Sequence, residues 1–226
     1  KLKHSLRIKP ESINLEGVIK AADLVIEAVS PQIAGELARK VIENGKNIMI
    51  ISVGGVVDYL YLFDEARKKG CRIYFPSGAI AGLDGVKAAR EAHINLVTLT
   101  TSKPPSGLQG APYIIEKGID LKSIKKRTVI FEGTCKEAVK AFPRNINVAA
   151  TLSFAGIGID KTRVRVIADP SLERNVHHIL VEGDFGRLKI WVENMPSPFN
   201  PKTSYLAALS AIATLREIAD TVQVGT

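Results

Sequence analysis

The first eighty positions of the chain switch between two hydrophobic periods. "DLVIEAVS", Asp23–Ser30, is an unbroken apolar run of strand length, and "KNIMIISVGG" is a second. Between them, "PQIAGELARKVIENG" places Ile33, Ala34, Leu37, Val41 and Ile42 at helical spacing. That helix has Pro31 at a favoured first position and Asn44-Gly45 at its end. "VDYLYLFDEARKKG" predicts another helix, stopped by Gly70, and "CRIYFPSG" a third strand. Strands that are apolar on both faces, alternating with helices, predict a parallel sheet covered on both sides.

From "GLDGVKAAREA" onward the texture changes. A helix leads to the strand "INLVTLTTS" and a loop rich in Pro and Gly, "KPPSGLQGAPYIIEKG". "RTVIFEG" reads as a strand and "TCKEAVKAF" as a helix, because Thr134 and Glu137 have the spacing of a capping box. "NINVAATLSFAGIG" predicts a helix begun by Asn145, and "TRVRVIADP" a strand. "NVHHILVEGDFGRLKIWVEN" then alternates as a β-hairpin. "NPKTSYLAALSAIATLREIADTV" closes the chain as a long amphipathic helix, with Pro201 just after a cap at Asn200. The boundary between the two textures falls between Ser77 and Gly85. The expected fold class is therefore α/β: a partial doubly wound parallel sheet, Rossmann-like, joined to a C-terminal α+β domain with a mixed sheet. The expected division is residues 1–80, 81–200 and a C-terminal helix, 201–226, packing back between the domains.

Composition narrows the partners. The 226 residues are 46% hydrophobic and 24% charged, ordinary for a globular chain. No apolar run approaches the roughly 20 residues needed to span a bilayer, so no membrane partner is expected. "KLKHSLRIKPESINLEG" lacks the apolar core of a secretory signal. Two cysteines without metal spacing, Cys71 and Cys135, point to a reduced, cytoplasmic protein with no metal. The net charge of +8 is spread over short groups, "ARKK", "KSIKKR" and "KTRVR", and aromatics make up only 6% of the chain. That pattern argues against nucleic acid and suits an anionic small molecule.

A doubly wound sheet of this kind suggests a dinucleotide, yet G-x-G-x-x-G is absent. "SVGGVVD" and "SGAIAGLDG" have the wrong spacing. In such folds the glycine loop follows the first strand. The expectation is that this strand and loop lie upstream of Lys1. Ligands bind beyond the carboxyl ends of parallel strands, which singles out Gly78, Ala79 and Ile80 after the third strand.

The two adjacent histidines cannot share one task, since strand alternation sends them to opposite faces. His177 lies with Asn175, Ile179 and Val181 on the more apolar face, and His178 with Leu180 and Glu182. Burial would keep His177 neutral, as a general base requires. The residues alone leave both a structural core histidine and a base open. His4 and His93 have no constellation around them.

"PSGAIAGLDG", "FPRNINVAATLS", "ERNVHHILVEGDFG" and "NPKTSYLAALSAI" together, in this order, resemble the L-aspartate dehydrogenase family. The resemblance spans about 150 residues. It departs from the family in the absent glycine loop and in Ala81, where glycine is expected. It implies NAD or NADP as cofactor, L-aspartate as substrate, a homodimer, and oxidation to iminoaspartate feeding pyridine-nucleotide synthesis. By residue, it implies His177 as the catalytic group and Ala79 and Asn147 as cofactor contacts, with Gly78 and Ile80 beside them. Asn147 would bond the nicotinamide carboxamide, Asn145 taking the helix cap. The two substrate carboxylates call for cationic and hydroxyl donors; Arg144, Lys202, Thr203, Ser204 and Asn175 are the candidates. A dehydrogenase of another amino acid or of a semialdehyde, and a non-catalytic dimeric binding module, are the alternatives.

Overall fold

The computed structural model describes residues 9–143, 146–200 and 203–225. Its first part alternates helix and strand: α1 (Leu15–Ala21), β1 (Leu24–Glu27), α2 (Pro31–Glu43), β2 (Asn47–Ile50), α3 (Tyr61–Lys69) and β3 (Ile73–Tyr74). The three strands pair in parallel in the order β1-β2-β3. Apolar positions of α2, including Ala34, Ala38, Val41 and Ile42, bury against Ile48 and Ile50 of β2. Helix α3 ends at Gly70, whose φ of 67° is the left-handed conformation that favours glycine.

Helix α4 (Leu83–Ala89) leads into β4 (Ile94–Lys103). Then follow α5 (Pro112–Glu116), β5 (Thr128–Thr134), α6 (Cys135–Ala141), α7 (Asn147–Ala155), β6 (Arg163–Ala168), β7 (Asn175–Gly183), β8 (Gly186–Asn194) and α8 (Tyr205–Ala219). The second sheet has the order β5-β6-β4-β7-β8. It is mixed: β4 pairs in parallel with β6, and the other ladders are antiparallel. The expected capping box at Thr134 and Glu137 is present. An aromatic cluster of Phe63, Phe75 and Phe154, with centroids 5.2–5.8 Å apart, ties α3 and the end of β3 to α7.

Three local expectations change. Residues Val53–Tyr59 form a 3-10 helix, so α3 begins at Tyr61, four residues later than the start of the "VDYLYLF" pattern at Val57. Helix α7 is capped by the backbone of Ile146, and Asn145 lies outside the described residues. Helix α8 starts at Tyr205 with Ser204 as its cap, not at Asn200. The preceding segment is held by its own turn, in which Ser197 N–H donates to Thr203 O and Thr203 N–H to Asn200 O. A helix, α1, also appears where no strong pattern announced one; Asn14 caps it by accepting from Gly17 N–H at 2.9 Å.

The adjacent glycines of "SVGG" turn out to serve close packing. A Cβ on Gly55 would lie 2.1 Å from the Pro31 carbonyl oxygen, and one on Gly54 would lie 3.1 Å from Asn147 Oδ1. They let the start of α2 and the start of α7 approach the loop after β2.

Candidate active site

The site is carried by the loops beyond β2 and β3, the start of α7, the paired ends of β4 and β7, and the segment leading into α8. Between them is a cavity of about 230 Å³, lined by Ile51, Val53, Pro76, Gly78, Ala79, Lys103, Asn147, Val148, Thr151, Asn175, His177, Thr203, Ser204 and Ala207.

The loop beyond β2 is anchored from inside. Glu27, the last residue of β1, is fully buried and accepts three backbone N–H groups: Val29 at 2.7 Å, Ser30 at 3.1 Å and Ser52 at 2.9 Å. An acid at a strand end thus substitutes for water in satisfying two loops at once. The turn after β3 is anchored from outside. Gly78 has φ of 68° and donates its N–H to Ser210 Oγ of α8 at 3.0 Å. Asn194 Nδ2 at the end of β8 donates to Ala79 O at 2.9 Å. These two contacts fix the Gly78–Ala79 backbone against the mixed sheet.

Asn147 enters from the first turn of α7. Its Oδ1 accepts the Gly54 N–H at 3.0 Å, which leaves Nδ2 as the donor toward the cavity. His177 is buried, and its Nδ1 lies 3.1 Å from Thr101 Oγ1, itself fully buried. The pair is set by register, since Thr101 faces His177 across the β4–β7 ladder. Burial first, and the positive Lys103 second, hold the imidazole pKa down to about 3, so the ring is neutral throughout the physiological range. His178 points to the other face and packs on Trp191, with centroids 5.7 Å apart.

Of the residues read from the sequence, His177, Ala79, Gly78, Asn147, Asn175, Thr203 and Ser204 meet at one cavity. Ile80 does not: it is 1% exposed and belongs to the hydrophobic core, which corrects its reading as a cofactor contact. Arg144 and Lys202 lie outside the described residues. Sequence reasoning missed Lys103, Thr101 and Glu27. Thr101 follows from the β4–β7 register, which is not visible before pairing is known. Lys103 ends an otherwise apolar-alternating strand, and a lysine at such a position was the available signal.

A nicotinamide fits the residues present. Ile51, Val53, Pro76 and Val148 give apolar walls, Gly78 presents backbone without a side chain, and Asn147 Nδ2 offers a donor to a carboxamide. Parallel strand ends beside a polar cleft with a neutral histidine define an NAD(P)-dependent dehydrogenase on a Rossmann-like fold.

Comparison with known proteins makes this particular. Residues 84–218 match the family described as aspartate dehydrogenase, C-terminal, and residues 1–76 match the NAD binding domain of homoserine dehydrogenase. The L-aspartate dehydrogenase of Methanosarcina mazei is 54% identical over 221 residues, covering 96% of this chain and 82% of its own length. That of Nitrosopumilus maritimus is 44% identical over 231 residues, covering 100% and 85%. The crystal structure of aspartate dehydrogenase from Thermotoga maritima superposes with a TM-score of 0.74 at 30% identity, covering 97% of this chain and 83% of that one. An archaeal homoserine dehydrogenase in complex with NADPH shares the fold alone, with a TM-score of 0.55 at 10% identity. The chain belongs to the L-aspartate dehydrogenase family.

Proposed function

We propose that the cavity is where L-aspartate is oxidised to iminoaspartate, with NAD or NADP as the acceptor, in the service of pyridine-nucleotide synthesis. The observation that carries this reading is His177, neutral and oriented by Thr101, lining one cavity with the Gly78–Ala79 turn and Asn147. When bound, the nicotinamide supplies the hydride acceptor. The chain's own residues do the rest. Gly78, Ala79 and Asn147 would position the ring, while Asn175, Thr203 and Ser204 would give hydrogen bonds to the substrate. With Nδ1 engaged by Thr101, Nε2 of His177 is the nitrogen left to take the proton that the substrate ammonium sheds as it becomes an imine. Hydride and proton together leave the amine carbon doubly bonded to nitrogen.

The test is reduced-nicotinamide formation by the full-length protein with L-aspartate, L-homoserine and L-lysine in parallel. Turnover with L-aspartate at the highest kcat/KM supports the reading; preference for L-homoserine would replace it with the runner-up dehydrogenase.

The division at residues 1–80, 81–200 and 201–226 and a homodimer in the cytoplasm complete the proposal. Edge strand β8 exposes Trp191, while Leu209 and Ile212 are exposed on α8, the kind of apolar surface that a second subunit covers. No described helix is long and apolar enough to cross a membrane.

A further inference from the structure

Asn194 ends β8 and is 3% exposed. Register sets it opposite Asn175 of β7, and sets Val192, two residues earlier, opposite His177. Alternation puts all four on the inner face of the sheet. Leu188 and Ile190 continue that face along β8 and pack on the hydrophobic core. The chain from Ala79 to Gly85 lies along them: a Cβ added at Gly82 would be 2.5 Å from Ile190 Cδ1, and one at Gly85 would be 3.5 Å from Leu188 Cδ1. Apolar contacts of this kind are non-directional and set no register between turn and strand. Asn194 supplies the direction, because its Nδ2 donates to Ala79 O at 2.9 Å. On its other side the chain passes to Met195, whose carbonyl accepts Tyr205 N–H at 2.8 Å, and to Pro196, which bridges to Ser204. One residue thus adjoins the turn of Ala79, the strand of His177 and the segment of Thr203 and Ser204.

This amide is only half used. Its Oδ1 is buried and has no hydrogen-bond partner among the described residues. A buried acceptor left unmade costs stability, so an apolar side chain of similar size would suit the packing at least as well. What an apolar side chain could not supply is the bond to Ala79 O. We infer that Asn194 is a positioning residue for hydride transfer, fixing the spacing between the turn that holds the nicotinamide and the strand that carries His177. The inference rests on the function proposed above and adds to it the residue that sets this distance. Loss of the Nδ2 bond frees Ala79 to slide along Leu188 and Ile190, while Gly78 N–H stays tied to Ser210 Oγ. The substrate groups on β7 and on the segment before α8 keep their places. Transfer between reacting atoms falls steeply when they are misplaced by about 1 Å, so the rate drops while the affinity for L-aspartate holds.

The experiment uses full-length native protein, Asn194→Leu and Asn194→Asp. Four quantities are measured: the single-turnover rate of hydride transfer from L-aspartate to NAD or NADP, KM for L-aspartate, the urea midpoint, and amide hydrogen exchange over Gly78–Gly82 in cofactor-free protein. In Asn194→Leu, transfer is expected to be about 10- to 100-fold slower with KM nearly unchanged. Its turn exchanges roughly tenfold faster, the worth of one hydrogen bond, and its urea midpoint equals or exceeds the native one. In Asn194→Asp, a protonated carboxyl can donate to Ala79 O and a carboxylate cannot. The transfer rate of that variant therefore falls as pH rises through the carboxyl titration, relative to native protein at each pH. A native transfer rate in Asn194→Leu overturns the inference. So does a slow rate accompanied by a lowered urea midpoint, which would make the residue merely structural. Should Asn194→Leu not fold, the profile of Asn194→Asp decides, and a profile parallel to the native one overturns the inference. Native protein that turns over no L-aspartate would sink the parent reading instead, a result distinct from these.

Discussion

Thr101 and His177 form the most economical device in the site, a hydroxyl and an imidazole held 3.1 Å apart by strand register. For His177 to accept a proton at Nε2, Nδ1 must carry the hydrogen and donate it to Thr101 Oγ1; the hydroxyl sets the tautomer. Thr101→Val removes that orientation while keeping shape. It should lower kcat roughly five- to tenfold, the worth of one hydrogen bond, with KM nearly unchanged, and Thr101→Ser should recover most of the loss. Equal kcat in native protein and Thr101→Val would remove the hydroxyl from the mechanism. At this scale much was legible beforehand: alternation alone separates His177 from His178, and the structure puts the first at the cavity and the second against Trp191. What alternation cannot supply is the partner across the ladder, because Thr101 is 76 residues away in sequence.

Strand ends and glycine turns set the distances between these residues. Glu27 accepts from three backbone donors, and a carboxylate does so with lone pairs only. Glu27→Gln turns one acceptor into a donor that faces N–H groups. A loss of about 1–3 kcal/mol is expected, read as a lowered urea midpoint with the same slope. Gly55→Ala forces a methyl group onto the Pro31 carbonyl, only 2.1 Å away. A destabilisation of at least about 1–3 kcal/mol should follow, and a neutral result would show that the two loops do not approach so closely. Element type was legible wherever hydrophobic period and stop signals agreed, as in α2, β4, α6 and the β7–β8 hairpin. Helix starts were not. "VDYLYLF" has helical apolar spacing from its first residue, yet the tight contacts of Gly54 and Gly55 impose a 3-10 turn there. The Asn200-Pro201 pair looks like a cap, but the turn joining Ser197 to Thr203 delays α8 to Tyr205.

For the whole molecule, burying His177 makes stability depend on pH. The folded imidazole titrates near 3, and the unfolded one near 6.5. Between those values the unfolded chain binds a proton that the folded chain does not, so stability present above about pH 6.5 is lost progressively on acidification. His177→Gln lacks this term. Its unfolding free energy should fall less steeply than that of native protein from pH 6.5 downward, by up to about 1.4 kcal/mol per pH unit; parallel curves would place the imidazole in water. The two sheets meet at the cavity through Gly54–Asn147, Gly78–Ser210 and Ala79–Asn194, contacts that join segments 93 to 132 residues apart. This convergence is what periodicity could not reveal, and the blocks resembling one family were the only guide to it. The most direct test of the account is single-turnover reduction of NAD or NADP by L-aspartate in native full-length protein and in His177→Ala. The account predicts unchanged cofactor affinity and a hydride-transfer rate about a hundred- to ten-thousandfold lower in the variant; a variant that transfers hydride at the native rate would contradict it.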